Sequence, residues 1–322
     1  MRRIKTGVVG YGKSAKVFHI PFLSTMNEFE ITKVMERHAE ESKKKLPGVT
    51  VSKTFDELIG DDSTELIVIT TPNDTHYDYA SRALKAGKHV VLEKPFTNNT
   101  EEGEKLVQLA KETGKVLSVY QNRRYVSDFL TMRDLLNEKL LGDVHEFNAT
   151  YDRYRPDGIP GSWREAALPG SGILFDLGPH IIDQVLVLFG NPKTITADIR
   201  KQRKDVNADD YFNIWLDYGF LKVILHGGML VREQGPRYMI QGTKGSFLKY
   251  GEDPQAYNPY TVYVNTLTRQ ERQEANAIMY WDWTPVEGLT ATVDFGLNYY
   301  NQFGYNANTP NQAFNFQTNT FG

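Results

Sequence analysis

Between Ile4 and Val119, short β-branched runs alternate with longer helical patterns, and no other feature of this chain restricts its fold as much. The runs are Ile4–Val9, Ile31–Met35, Leu66–Thr70, Val90–Leu92 and Val116–Val119. Tyr77–Ala86 and Glu101–Glu112 are two of the stretches between them. A strand that must reach a parallel neighbour needs a crossover, and a helix is the usual one, so this alternation predicts βαβ units and a parallel sheet covered on both faces. Gly87 and Gly114 each fall just past a predicted helix, where a left-handed cap is wanted.

The pattern changes near residue 120. A helix is expected over Phe129–Glu138, a strand over Val144–Tyr151, a Pro/Gly-rich loop from Arg155 to Gly172, and a helix from Ile173 to Leu188. Strand-like runs follow at Thr194–Arg200, Tyr211–Tyr218, Leu221–His226 and Tyr238–Gln241. Consecutive strands with tight links predict an antiparallel sheet. The expected fold class is α/β: a Rossmann domain over 1–120, then an α+β domain over 121–255 with an open, mainly antiparallel sheet. Beyond it lies an atypical segment, 256–322. The last 73 residues hold no lysine, only Arg269 and Arg272 as arginines, and 15 of the 39 aromatic residues. Leu289–Tyr299 alternates with period 2 and pairs plausibly with Ala277–Trp283 as a hairpin, while Asn301–Gly322 reads as disordered.

Gly10-x-Gly12-x-x-Ala15 follows the first strand and opens a helix. Gly10 permits a tight turn, Gly12 lets the backbone approach a pyrophosphate, and Ala15 allows close helix–strand packing. A plain tight turn is the competing reading. Glu36 closes the second strand and would accept the ribose hydroxyls of NAD. Its neighbour Arg37 would instead grip the 2′-phosphate of NADP, and Glu36 tilts the expectation slightly to NAD. Thr71, Pro72 and Asn73 end the Leu66–Ile69 strand, with His76 at a helix start. Thr71 and Asn73 could line the cofactor edge, and Asn73 or Thr75 could serve as an N-cap.

Glu93-Lys94-Pro95 ends the apolar strand His89–Leu92. Ligands of open α/β sheets bind at the carboxyl ends of the strands, so Lys94 is placed to meet the reacting end of a cofactor. A lysine that snorkels to solvent is the alternative. Asp176 and His180 are spaced i, i+4, which makes them neighbours on one helix face, with Asp183 and Gln184 on the same stripe. His180 could be an acid/base, a satisfied core histidine or a metal ligand; no third ligand with usual spacing is evident. Gly178-Pro179 is poor helix sequence and predicts a late start or a distortion. Gln121, Asn122, Arg123, Trp163 and Arg164 are candidates to hydrogen-bond a polar substrate, and Arg124 reads equally well as a salt-bridge residue.

The absence of cysteine excludes disulfides, thiolate catalysis and cysteine metal sites. A net charge of -3 gives no reason to expect a nucleic-acid or membrane partner. No signal peptide or spanning segment is read, so the cytoplasm is expected.

These residues resemble the Gfo/Idh/MocA oxidoreductases, the glucose–fructose oxidoreductase and inositol dehydrogenase family, and within it the scyllo-inositol dehydrogenase-like branch. The resemblance rests on GYGKSAKVFHIP (10–21), TTPNDTHYDYA (70–80), AGKHVVLEKPF (86–96), SVYQNRRYVSDFLT (118–131), WRE (163–165), GSGILFDLGPHIIDQVLVLFG (170–190) and GTKGSFLKYGEDPQ (242–255). It implies NAD(P)-dependent hydride transfer on a polyol or sugar and a homo-oligomer through the second sheet. It implies catalytic roles for Lys94, Asp176 and His180, cofactor positions at Gly10, Gly12, Ala15, Glu36, Thr71, Pro72, Asn73, His76 and Glu93, and a cis bond before Pro95. After Gln255 the family pattern stops. The expectation is a foreign tail from about residue 256, with an unusual native extension of the sheet as its rival. A cofactor-binding but catalytically silent protein is the alternative to an enzyme.

Overall fold

The computed structural model describes residues 2–252 and, beyond them, 261–263, 265–269, 278–282, 313–315 and 320–321. The chain divides into two compact units, Met1–Gln121 and Asn122–Gly322.

The first unit is built on six parallel strands: β1 (Ile4–Val9), β2 (Phe29–Met35), β3 (Thr50–Ser52), β4 (Leu66–Ile69), β5 (His89–Leu92) and β6 (Leu117–Val119). Their order is β3-β2-β1-β4-β5-β6. Its helices are α1 (Ile20–Thr25), α2 (Ser42–Lys45), α3 (Phe55–Ile59), α4 (His76–Lys85) and α5 (Thr100–Thr113). Alternate side chains enter two cores. Val9, Ile67 and Ile69 pack with Ala80, Ala83 and Leu84 of α4, while Val8, Leu66 and Val68 pack with Ala15 and Ile20. Burial on both faces is why these strands read as unbroken apolar runs. The Asn99 side chain caps α5 by accepting from Glu102 N at 2.9 Å, and Gly114 closes it at φ 64°. The sheet order reverses between β1 and β4, the switch point where such folds take ligands. Because all six strands run the same way, Gly10, Glu36, Thr70 and Glu93 all leave the sheet at one edge.

The second unit contains α6 (Ser127–Asn137), α7 (Ile173–Asp176) and α8 (Gly178–Phe189). Its larger sheet uses β7 (Val144–Asp152), β8 (Thr194–Arg200), β9 (Tyr211–Asp217), β10 (Lys222–Gly228), β11 (Tyr238–Gly242) and β12 (Gly245–Lys249). Farther along lie β13 (Thr261–Tyr263), β14 (Asn265–Arg269) and β15 (Ile278–Asp282). The large sheet has the order β15-β14-β12-β11-β7-β10-β9-β8. It is antiparallel except where β10 runs parallel to β7. One face of it packs on α6 and α8 through Phe147, Phe212, Leu225, Phe129 and Val185.

Two expectations need correction here. The single helix over Ile173–Leu188 is two helices joined at Leu177, because Pro179 has no N–H to continue the ladder. β3 was not anticipated: three residues after Pro47-Gly48 are too short to show a period. Leu289–Tyr299 lies outside the described residues, as does most of Asn301–Gly322.

Candidate active site

The glycine turn has the geometry its sequence requires. Gly10 sits at φ 91°, a conformation that side chains other than glycine rarely adopt, and Ala15 is fully buried against the sheet. A Cβ on Gly12 would meet no atom within 4 Å, so the backbone there is open to a ligand. A helix opens at Lys13 as expected, and its Ala15–His19 segment is π-helical before the α-helix resumes at Ile20. Thr70 Oγ1 donates to Val9 O at 2.9 Å and stitches the ends of β1 and β4 together.

Glu36 is buried, and its two oxygens accept from the backbone N–H groups of Glu41 (3.0 Å) and Ser42 (2.8 Å). Arg37 beside it is exposed.

At the end of β5, Glu93 collects groups from the glycine segment. Its Oε1 accepts from the Ser14 hydroxyl and from His19 Nε2 at 2.8 Å, and its Oε2 accepts from Lys94 N at 3.1 Å. Burial alone would raise the Glu93 carboxyl, but the His19 and Ser14 hydrogen bonds and the Lys94 cation outweigh it and hold the group below the usual carboxylate range. His19 is buried and lies against Tyr120, whose ring centroid is 4.1 Å away. Lys94 is half-buried, and its bond to Pro95 is cis.

His76 is fully buried, with Nδ1 2.7 Å from Pro95 O and Nε2 3.1 Å from Thr71 O. It braces the ends of β4 and β5. Burial pushes its pKa down, against the opposing pull of the two carbonyls. Thr75 stands at the N-cap of α4 but makes no cap hydrogen bond. Its hydroxyl donates instead to Pro72 O at 2.6 Å and lies 2.6 Å from Thr71 Oγ1. Asn73 begins the short 3₁₀ turn that precedes it, after the exposed Pro72. Gln121 ends this unit with its Oε1 buried.

In the second unit, Asp176 ends α7 and His180 lies in the first turn of α8, on either side of Leu177, which keeps a right-handed helical conformation. Arg164 Nε is 3.6 Å from Asp176 Oδ1, and its guanidinium lies 4.8 Å from the Trp163 ring centroid. His180 is buried, its ring centroid 6.2 Å from that of Tyr151. Asn122 opens a 3₁₀ turn that carries Arg123 and Arg124. Arg124 grips Asp183 with two bonds of 2.7 and 2.5 Å, in line with its salt-bridge reading.

Arg123 is buried and donates to Glu252 Oε2 at 2.9 Å. Its carbonyl accepts from Gln184, whose Oε1 accepts from Tyr238 OH at 2.8 Å. Arg237 lies 3.3 Å over the Tyr151 ring centroid. Burial would raise the Glu252 carboxyl, but Arg237, Arg123 and Arg153 outweigh it and lower it. Burial pushes the Tyr151 and Tyr238 hydroxyls above the usual phenol range. Tyr151, Arg237 and Tyr238 escaped the sequence reading as site residues, as did Ser14 and His19. Their partners lie too far along the chain for local spacing to reveal them.

Known proteins match both halves. Residues 4–121 match the family described as "Oxidoreductase family, NAD-binding Rossmann fold", and residues 129–248 match the "GFO/IDH/MocA C-terminal domain". A scyllo-inositol 2-dehydrogenase (NADP(+)), IolW of Bacillus subtilis (strain 168), is 46% identical over 252 residues, 78% of this chain and 70% of that protein. An uncharacterized oxidoreductase of Escherichia coli (strain K12), YdgJ, is 44% identical over 78% of this chain and 72% of its own length. The solved structure of the oxidoreductase yvaA from Bacillus subtilis superposes with a TM-score of 0.81 at 40% identity, covering 88% of this chain and 83% of that one.

Proposed function

The chain belongs to the Gfo/Idh/MocA family of NAD(P)-dependent oxidoreductases, and from that premise we propose that it moves a hydride between a nicotinamide cofactor and a hydroxyl-bearing ring carbon of an inositol-like polyol or sugar. One observation carries the reading: Ser14 and His19 of the glycine segment both bond Glu93, so the strand end that carries Lys94 is tied to the turn that would hold the pyrophosphate. The open backbone at Gly12 and the left-handed Gly10 fit a dinucleotide.

When bound, the nicotinamide supplies the hydride acceptor or donor. The residues of the chain handle the proton and the charge. His180 removes the proton from the substrate hydroxyl oxygen, Lys94 stabilises the alkoxide that develops there, and Asp176 orients the site. Gln121, Asn122, Trp163 and Arg164 hold the remaining hydroxyls; Arg123, buried against Glu252, supports the site from behind rather than meeting the substrate.

The finer cofactor choice falls to NADP. Glu36, which would accept the ribose hydroxyls of NAD, gives both oxygens to backbone N–H groups, and exposed Arg37 offers charge for a 2′-phosphate. The relative named as NADP(+)-linked supports the same choice. The C-terminal match ends at residue 248 and the composition changes at about the same place, but β14 and β15 continue the large sheet, so residues from about 256 are read as an unusual native extension of the sheet rather than a foreign tail. A broken reading frame through that junction in source DNA would overturn this.

The deciding experiment is a panel of inositols and aldoses assayed with NAD and with NADP by nicotinamide absorbance. Turnover of an inositol with a higher kcat/KM for NADP is expected. No turnover of any polyol would overturn the substrate class, and a preference for NAD would overturn the cofactor choice.

A further inference from the structure

The stretch between β8 and β9 contains a buried clasp with no contact to the groups assigned to chemistry. Arg203 is buried, its side chain 2% exposed. Its Nε donates to Asp210 Oδ2 at 2.9 Å and its Nη2 to Glu165 Oε1 at 3.0 Å, while Nη1 donates to the carbonyls of Arg155 (3.2 Å) and Asp157 (3.3 Å). Asp210 is held in turn by the backbone N–H groups of Gln202 and Arg203. Glu165 Oε2 accepts from Ile159 N at 2.5 Å, and its carbonyl accepts from Asn207 N at 2.8 Å.

Four of these bonds, from Arg203 to Glu165, Arg155 O and Asp157 O and from Asn207 N to Glu165 O, join the long loop after β7 to the β8–β9 connection. That loop carries the Trp163–Glu165 turn, and Arg164 O accepts from Gly172 N at 2.8 Å at the start of α7. The next residue of the connection continues the tie: Asp209 accepts from Ile173 N through its carbonyl and from Leu174 N through Oδ2 at 2.8 Å. Asp176 ends that same four-residue helix, 3.6 Å from Arg164. A guanidinium that satisfies two carboxylates and two carbonyls at once fixes a loop more tightly than any single contact, because its planar fork leaves little freedom.

We propose that Arg203 and Glu165 are positioning residues for the reaction: they set the place of Arg164 and, through α7, of Asp176 toward the polyol. The inference rests on the reading of Arg164 and Asp176 as substrate-facing groups.

Truncating Arg203 would strand two carboxylates, so the test uses the milder Glu165→Gln, alone and combined with Arg164→Ala. The full chain is assayed for polyol KM and kcat, with dinucleotide Kd and thermal melting measured in parallel. Glu165→Gln is expected to raise polyol KM about tenfold, as misplaced positioning groups do, with dinucleotide Kd within about twofold of the parent. In the Arg164→Ala background the same change should do almost nothing. If Arg164→Ala impairs the enzyme but Glu165→Gln is silent, or acts in full in both backgrounds, the clasp has no positioning role. If Arg164→Ala itself leaves the kinetics normal, the substrate-facing reading falls and the inference with it.

Discussion

The two halves of this chain build their sites by different means. In the first, the cofactor cradle is mostly backbone: a left-handed glycine, an open glycine and strand ends that leave the sheet together. In the second, the site rests on buried charges drawn from distant segments, such as Arg123 with Glu252 and Arg203 with Asp210 and Glu165. A backbone cradle tolerates side-chain change as long as the turn survives. A buried charge network does not, because removing one member leaves another desolvated and unpaired. The largest expected effect follows directly. Arg203→Ala should destabilise the second unit by about 3–5 kcal/mol. All four tryptophans lie in that unit, so the loss is read as an earlier emission shift in urea. An unchanged midpoint would erase the contrast.

Next in size are the two residues proposed for the chemistry. Lys94→Ala and His180→Ala should each lower kcat by roughly 10²-fold or more, or about 2.7 kcal/mol of barrier. Dinucleotide Kd should change far less for His180→Ala, which lies outside the first unit. Near-normal turnover in either variant would remove that residue from the reaction.

The contrast also explains what the sequence could and could not reveal. β1 and β8 fall on their predicted bounds, and β4 and β5 nearly so, because a period or an unbroken apolar run is a local signal. The glycine turn was legible for the same reason: its chemistry lies within six residues. Glu93 was placed by its position, but its partners Ser14 and His19 are 79 and 74 residues away and no spacing rule reaches them. Arg203 was harder still. It stands among Arg200, Lys201, Lys204 and Asp205, and nothing in that charged run marks one side chain as buried. The stretch holding Asp176 and His180 is split into two helices, a break that Gly178-Pro179 marks in the sequence.

Acid should separate the halves. His76 in the first unit has its pKa lowered by burial. Its stabilising effect is therefore present above the unfolded value of about 6.5 and is lost as pH falls below it, with a slope of up to about 1.4 kcal/mol per pH unit. Glu93 is also lowered, so its contribution is lost only further down, below about pH 4.3. In the second unit Asp209 is raised, mainly by burial, which has the opposite sign: its penalty is relieved as pH falls through the folded value. Between about pH 7 and pH 5, then, the first unit should lose stability faster than the second. Hydrogen exchange resolved by unit would show it, and His76→Asn should flatten the first unit's slope. Parallel losses in both units would mean that His76 does not control the difference.

The smallest stability effect belongs to Gly12, and set against Gly172 it sharpens the comparison most cleanly. Gly172 sits at φ 87°, and a Cβ there would lie 1.9 Å from Asp209 Oδ1, the carboxylate that holds the start of α7. Gly172→Ala should therefore cost about 1–3 kcal/mol from the backbone conformation alone, since φ 87° with ψ 165° is essentially confined to glycine, and more from the displaced carboxylate. A Cβ on Gly12 meets nothing and its backbone is not left-handed. Gly12→Ala should leave stability within about 0.5 kcal/mol yet weaken dinucleotide binding, because the methyl fills the space that the pyrophosphate needs. Melting curves and dinucleotide titrations on the two variants test both statements together. If Gly12→Ala melts early while binding holds, its glycine serves packing rather than ligand, and the first half is built like the second.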